Sequence, residues 1–183
     1  MLHYFWVHCC FHLSRWFPKE IRWKVRLIII PLTVCLLAPE FYVLLLNETS
    51  RFCPANLLNY LIADVTFTTL MLGFCFILCQ MDPLVYQIKI AFHIFGVLDA
   101  AMGIAITIAL ASTNASTCRD NTTTLYYACL ILAILHIASL GLVVFLTPFW
   151  VANSVWALSV LNPRQRRGVC YEPVKCCTCL WHV

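Results

Sequence analysis

Four apolar runs, each long enough to cross a bilayer, constrain this chain more than any other feature. They cover residues 27–46, 57–79, 90–111 and 125–147. A crossing helix needs about 20 apolar residues at a rise of about 1.5 Å each. With 62% hydrophobic and only 11% charged residues among 183, the chain cannot clothe a soluble domain of its size. Lipid offers no hydrogen bonds to the backbone, so the runs must be helices. The expected fold is an all-α integral membrane protein, a four-transmembrane-helix bundle with its N and C termini cytoplasmic.

The apolar character continues past the fourth run to residue 161. That is too much for one perpendicular crossing and too little for two. Pro148 lacks an N–H and marks a change of direction. Residues 149–161, with Trp150 and Trp156, suit a helix at the cytoplasmic interface or a continuation outward. Residues 1–26 form an interfacial or cytoplasmic N-terminal segment, 27–161 the membrane domain and 162–183 a cysteine-rich cytoplasmic tail. Residues 1–17 are too short to span. Phe5, Trp6, Phe11, Trp16 and Phe17 suit a segment lying in the inner interface. They carry no basic stretch ahead of an apolar core, so the first span is expected to serve as the insertion signal.

Cations set the orientation. Arg15, Lys19, Arg22, Lys24 and Arg26 precede the first span, Lys89 lies between the second and third, and Arg164, Arg166, Arg167 and Lys175 follow the last. The other two loops hold only Arg51 and Arg119. The cation-rich side is the cytoplasmic one. Placed beside apolar spans, these charges speak of membrane orientation and not of nucleic acid. Glycosylation acceptors agree, because Asn47, Asn114 and Asn121 each begin an Asn-x-Ser/Thr tripeptide in a loop assigned outside.

The twelve cysteines sort by compartment. Cys53 and Cys118 lie one in each outer loop, where an oxidising exterior favours a disulfide; Cys129 is a rival partner. Cys9, Cys10, Cys170, Cys176, Cys177 and Cys179 flank the spans on the reducing side, beside basic residues, and suit S-acylation. A metal site built from the tail cysteines and His182 is the alternative. Tyr171 and Val174 match a short sorting signal on a cytoplasmic tail, which fits the plasma membrane or an endosomal or lysosomal membrane.

Ionisable residues inside spans cost about 2.5–3.5 kcal/mol each on insertion scales and mark functional or inter-helix contacts. Asp99 and His136 fall near the midplane and are expected to pair. Glu40 and Asp64 fall in outer halves. Either Asp99 is a polar clamp between helices and these two acids reach interfacial water, which is the commoner case, or they line the outer mouth of a path through Asp99 and His136. Gly96, Ala100 and Gly103 make a small-residue face on the third span, suited to a central position or to contact with a membrane-protein partner or a second copy. No HExxH motif, aspartate pair or serine–histidine pair marks an enzyme, and no cofactor is expected. The expected role is an accessory, scaffold or trafficking component of a membrane protein complex. The alternative is a proton or cation channel or transporter subunit using Asp99 and His136, with Glu40 and Asp64.

Overall fold

The computed structural model describes residues 1–16, 22–81, 85–112 and 114–155. Among these, helix dominates and there is no strand. In chain order the helices are α1 (Leu2–Trp16), α2 (Arg22–Cys35), α3 (Leu37–Leu45), α4 (Leu57–Gln80), α5 (Tyr86–Ala111), α6 (Ala115–Asn121) and α7 (Thr123–Val155), with a 3₁₀ turn at Asn47–Ser50. Four segments are long and apolar enough to cross a membrane: Trp23–Leu45, Leu57–Gln80, Tyr86–Ala111 and Thr123–Phe149. The protein is membrane-embedded, and each expected span has its counterpart.

The first span is broken at Leu36. Pro39 has no N–H for the carbonyl of Cys35, four residues back, and its ring crowds that carbonyl. The chain answers with a tighter turn, in which Leu36 N–H donates to Thr33 O over 3.2 Å. α3 then starts afresh, with Pro39 in its first turn, where an N–H would have had no partner. α7 runs as one helix through Pro148 to Val155. Residues 156–161, expected to continue along the interface, lie outside the described residues.

The main departure from expectation is α1. It does not lie apart from the spans. It packs against α2, α4, α5 and α7. At about 22 Å for 15 residues, it reaches roughly halfway along the bundle. Its first turn sits beside Asp99, 14th of the 26 residues of α5, and Met1 lies inside the bundle. Tyr4, Val7 and Phe11 follow the 3–4 spacing of one helix face and are all buried. Trp6 ties α1 to α2 by donating Nε1–H to Thr33 Oγ1 over 3.1 Å.

The core therefore has two apolar halves. At one end, Tyr4, Val7, Cys10 and Phe11 of α1 meet Met71, Cys75 and Leu78 of α4 and Phe92 and Phe95 of α5. At the other, Leu57, Leu61, Ile106, Leu125 and Cys129 pack without α1. Between the halves lies a layer of buried polar side chains.

Candidate functional site

The polar layer is assembled from five helices. α4 contributes Asp64 and Thr68, which stand four residues apart and so share a face. α5 contributes Asp99, α7 His136, α3 Glu40 and α1 His3. Asp64 and Asp99 are 0% exposed and Glu40 is 8% exposed. Carboxylates this deep persist only when partnered.

Most of the partners come from α1. His3 Nδ1 lies 2.8 Å from Asp99 Oδ1, and His3 Nε2 lies 2.9 Å from Thr68 Oγ1. The backbone N–H of Tyr4 donates to Asp99 Oδ2 over 3.0 Å. A free N–H in the first turn of a helix suits a carboxylate, because it is unpaired within the helix and sits at the positive end of the dipole. The Met1 amine is 3.2 Å from Asp99 Oδ2 and 2.8 Å from His136 Nδ1. His136 Nε2 lies 3.2 Å from Asp64 Oδ1, whereas its Nδ1 is 3.6 Å from Asp99 Oδ1. His136 thus leans more on Asp64 than on Asp99, the partner expected for it. Asp64 belongs to the closed cluster rather than to a mouth. Glu40 borders open space, and with His3 and Thr68 it lines a cavity of about 580 Å³ between α1, α3, α4 and α7.

Proton counting along one branch is informative. Thr68 Oγ1 touches His3 Nε2 at 2.9 Å and Glu40 Oε1 at 2.9 Å. A hydroxyl has one proton to give. If Thr68 donates to Glu40, it must accept from His3 Nε2–H. Since Asp99 requires Nδ1–H, His3 is then an imidazolium and Glu40 a carboxylate. If Thr68 donates to His3 Nε2, the ring is neutral and Glu40 must carry the proton that Thr68 accepts. The two states differ by one proton moved between Glu40 and His3 and by the turn of one hydroxyl. The Asp64 carbonyl, 3.1 Å away, is the remaining acceptor for Thr68 and would require both neighbours to be protonated.

His3, Asp64 and His136 each offer one metal-ligating atom, all within 4.8 Å of one another. A cation seated there would have to break the Thr68–His3 and His136–Asp64 contacts. The geometry is that of a closed hydrogen-bonded cluster.

The other expected sites are distributed as follows. Cys53 and Cys118 form a disulfide joining the loop before α4 to α6. Cys129 is not the partner; its buried thiol donates to Leu57 O over 3.6 Å. Asn47, Asn114 and Asn121 are exposed at that same end. Cys9 is exposed, but Cys10 is buried in the core, where the Cys79 thiol donates to its carbonyl over 3.8 Å. An acyl chain on Cys10 has no room in this packing. Cys170, Cys176, Cys177, Cys179, Tyr171 and Val174 lie outside the described residues. Gly96 and Gly103 are buried against Tyr4 and His136. The two glycines of the small-residue face are therefore covered from within the chain.

Comparison with protein-family models, curated proteins and solved structures finds no match to this chain.

His3 and Thr68 are the site residues that motif reading misses. Three acids in spans one to three stand against a single midplane histidine, His136. That shortage of donors was the available signal, and three unassigned histidines, His3, His8 and His12, lay in residues 1–17, with His93 in the third span.

Proposed function

We propose that this protein moves protons, or a cation in exchange for protons, through its bundle, as a channel or transporter subunit. The observation that carries this reading is the chain Glu40–Thr68–His3–Asp99. It links a cavity wall to the bundle core through one hydroxyl and two exchangeable proton positions. Glu40 Oε2 has no protein partner, which leaves it able to take a proton from the cavity side. Beyond His3, α1 carries His8 and His12 toward the cation-rich end, with rings 4.5 Å apart. Both ring nitrogens of His8 are buried without a hydrogen-bond partner. A water there would be well placed to continue the path.

The test is proton flux into liposomes holding only this protein, driven by an imposed pH gradient. Thr68→Val keeps the side chain's shape and deletes the hydroxyl. It is expected to lower flux about a hundredfold or more, the low end of what one positioned proton-transfer group contributes. Thr68→Ser restores the hydroxyl and most of the flux, and Asp99→Asn is expected to abolish it. Equal flux from wild type and Thr68→Val would overturn the relay.

An accessory or scaffold role in a complex is the second reading, favoured by outer loops confined to a short turn and α6. Absence of flux from folded, oriented protein would put it first, and the search would turn to a membrane-protein partner.

The topology belongs to the same proposal. The end bearing Lys24, Arg26 and Lys89 faces the cytoplasm, and the disulfide end faces outward in the plasma membrane or an endosomal or lysosomal membrane. Asn121, Asn114 and Asn47 carry N-glycans, and Cys9 and the tail cysteines carry acyl chains. N-glycosidase treatment of protein from eukaryotic cells is expected to raise its gel mobility. A band that does not move would argue against this orientation.

A further inference from the structure

We infer that the cavity beside Glu40 is a lateral binding site for a bilayer-soluble amphiphile with a cationic amine head and an apolar tail. At about 580 Å³ it falls within the roughly 300–1,000 Å³ of small-molecule sites. Its walls come from α1, α3, α4 and α7 and are overwhelmingly apolar. Its rim includes Leu36 on one side and Tyr127, Ile131 and Leu135 on the other, all exposed. Ile131 and Leu135 lie well inside the Thr123–Phe149 span, so the opening between α3 and α7 faces hydrocarbon rather than water. The occupant enters from the bilayer.

The head group follows from the floor. Glu40 is more than nine-tenths buried, its Oε1 is engaged by Thr68, and its Oε2 has no partner. Among the described residues no lysine or arginine lines the cavity, and His3, which does, is already engaged by Asp99 and Thr68. An ammonium donating to Oε2 supplies the missing hydrogen bond and a positive charge in direct contact with the carboxylate, which His3, held off by Thr68, does not touch. A carboxylate head would be repelled, and an alcohol would supply the bond without the charge. The aliphatic tail then lies along Val43, Leu61 and Met71 or out past Ile131. The Glu40 carboxylate alone suffices for this binding, so the inference goes beyond the relay and can hold or fail without it.

The experiment uses the full chain in phosphatidylcholine nanodiscs. The probes are long-chain alkyl photoprobes identical except for a primary amine, alcohol or carboxylic acid head. Mass spectrometry maps the labelled residues, with competition by unlabelled alkylamine. The amine probe is expected to label α3 and α7 saturably, about tenfold or more above the alcohol and acid, the ratio that one charge-assisted hydrogen bond provides. Glu40→Gln keeps an acceptor for Thr68 and is expected to erase the amine preference. Ile131→Trp fills the mouth from an exposed position, leaves the fold intact and is expected to erase saturable labelling by the amine. Equal labelling by the three heads would identify ordinary lipid contact and overturn the assignment. So would amine labelling that survives both substitutions. Loss of amine labelling in Glu40→Gln together with normal flux would keep the site and separate it from the relay.

Discussion

Truncating His3 to alanine is expected to cost about 3–5 kcal/mol of stability, the range seen when one member of a buried charged pair is removed. The ring is 2% exposed and bridges Asp99 at 2.8 Å and Thr68 at 2.9 Å. Removing it leaves Asp99 with the Tyr4 N–H and the Met1 amine but strips its closest side-chain partner. It also leaves a ring-sized void beside Asp64, whose Oδ2 has no hydrogen bond and loses His3 Nε2 at 3.8 Å. Reversible unfolding of purified protein in mixed micelles would measure the change. Leu13→Ala is the internal control, because Leu13 is exposed on the same helix and should shift stability by no more than about 0.5 kcal/mol. A His3→Ala penalty as small as that of Leu13→Ala would mean that α1 does not occupy the bundle core. A double substitution, His3→Ala with Asp99→Leu, should cost less than the sum of the two. With both members of the pair gone, no carboxylate is left buried without its imidazole.

The spans were legible because the bilayer admits few solutions. A run of about 20 apolar residues must be a helix, and the ends of the four runs fell within a few residues of the observed helices. The disulfide was legible because compartment sorting left two cysteines in the outer loops, and these are the two that pair. The docking of α1 was harder to see. Its sequence is apolar and aromatic on several sides, so the face that enters the bundle does not announce itself by periodicity. Tyr4, Val7 and Phe11 are buried, but so are His3, His8 and Ser14, which hydrophobicity alone would turn outward. What decides the docking is a long-range requirement. Asp99 needs donors, and the first turn of α1 holds both an imidazole and free backbone N–H groups. Pairing Asp99 with His136 from depth alone found two members of the cluster and the wrong closest contact. A third party, His3, stood between Asp99 and Thr68, and no spacing rule within the spans could reveal it. Pro39 illustrates the opposite case. Its effect is local, and the break at Leu36 lies where its missing N–H requires.

Gly103→Ala and Gly96→Ala are expected to destabilise the protein by at least about 1–3 kcal/mol each, the cost of overpacking a close contact. A Cβ on Gly103 would stand 2.6 Å from His136 Cβ and 2.7 Å from its Nδ1, and one on Gly96 would stand 2.6 Å from Tyr4 Cδ2. At Gly103 the obstacle is the root of the side chain, so α5 and α7 must separate; relaxation by a rotamer change is not enough. At Gly96 the obstacle is a ring held between Phe92 and α1, and its retreat draws the Tyr4 N–H away from Asp99. Gly73 and Gly141 provide matched controls, since nothing lies within 4 Å of a Cβ at either. Alanine there should be neutral or stabilising by up to about 1 kcal/mol, from reduced backbone freedom in the unfolded chain. The four substitutions also separate the two uses of a small-residue face. If the third span used Gly96, Ala100 and Gly103 to bind another copy, alanine at 96 or 103 would change the mass of the assembly and leave the monomer's unfolding unchanged. Packing of Tyr4 and His136 into that face predicts the reverse: an altered unfolding curve at constant mass.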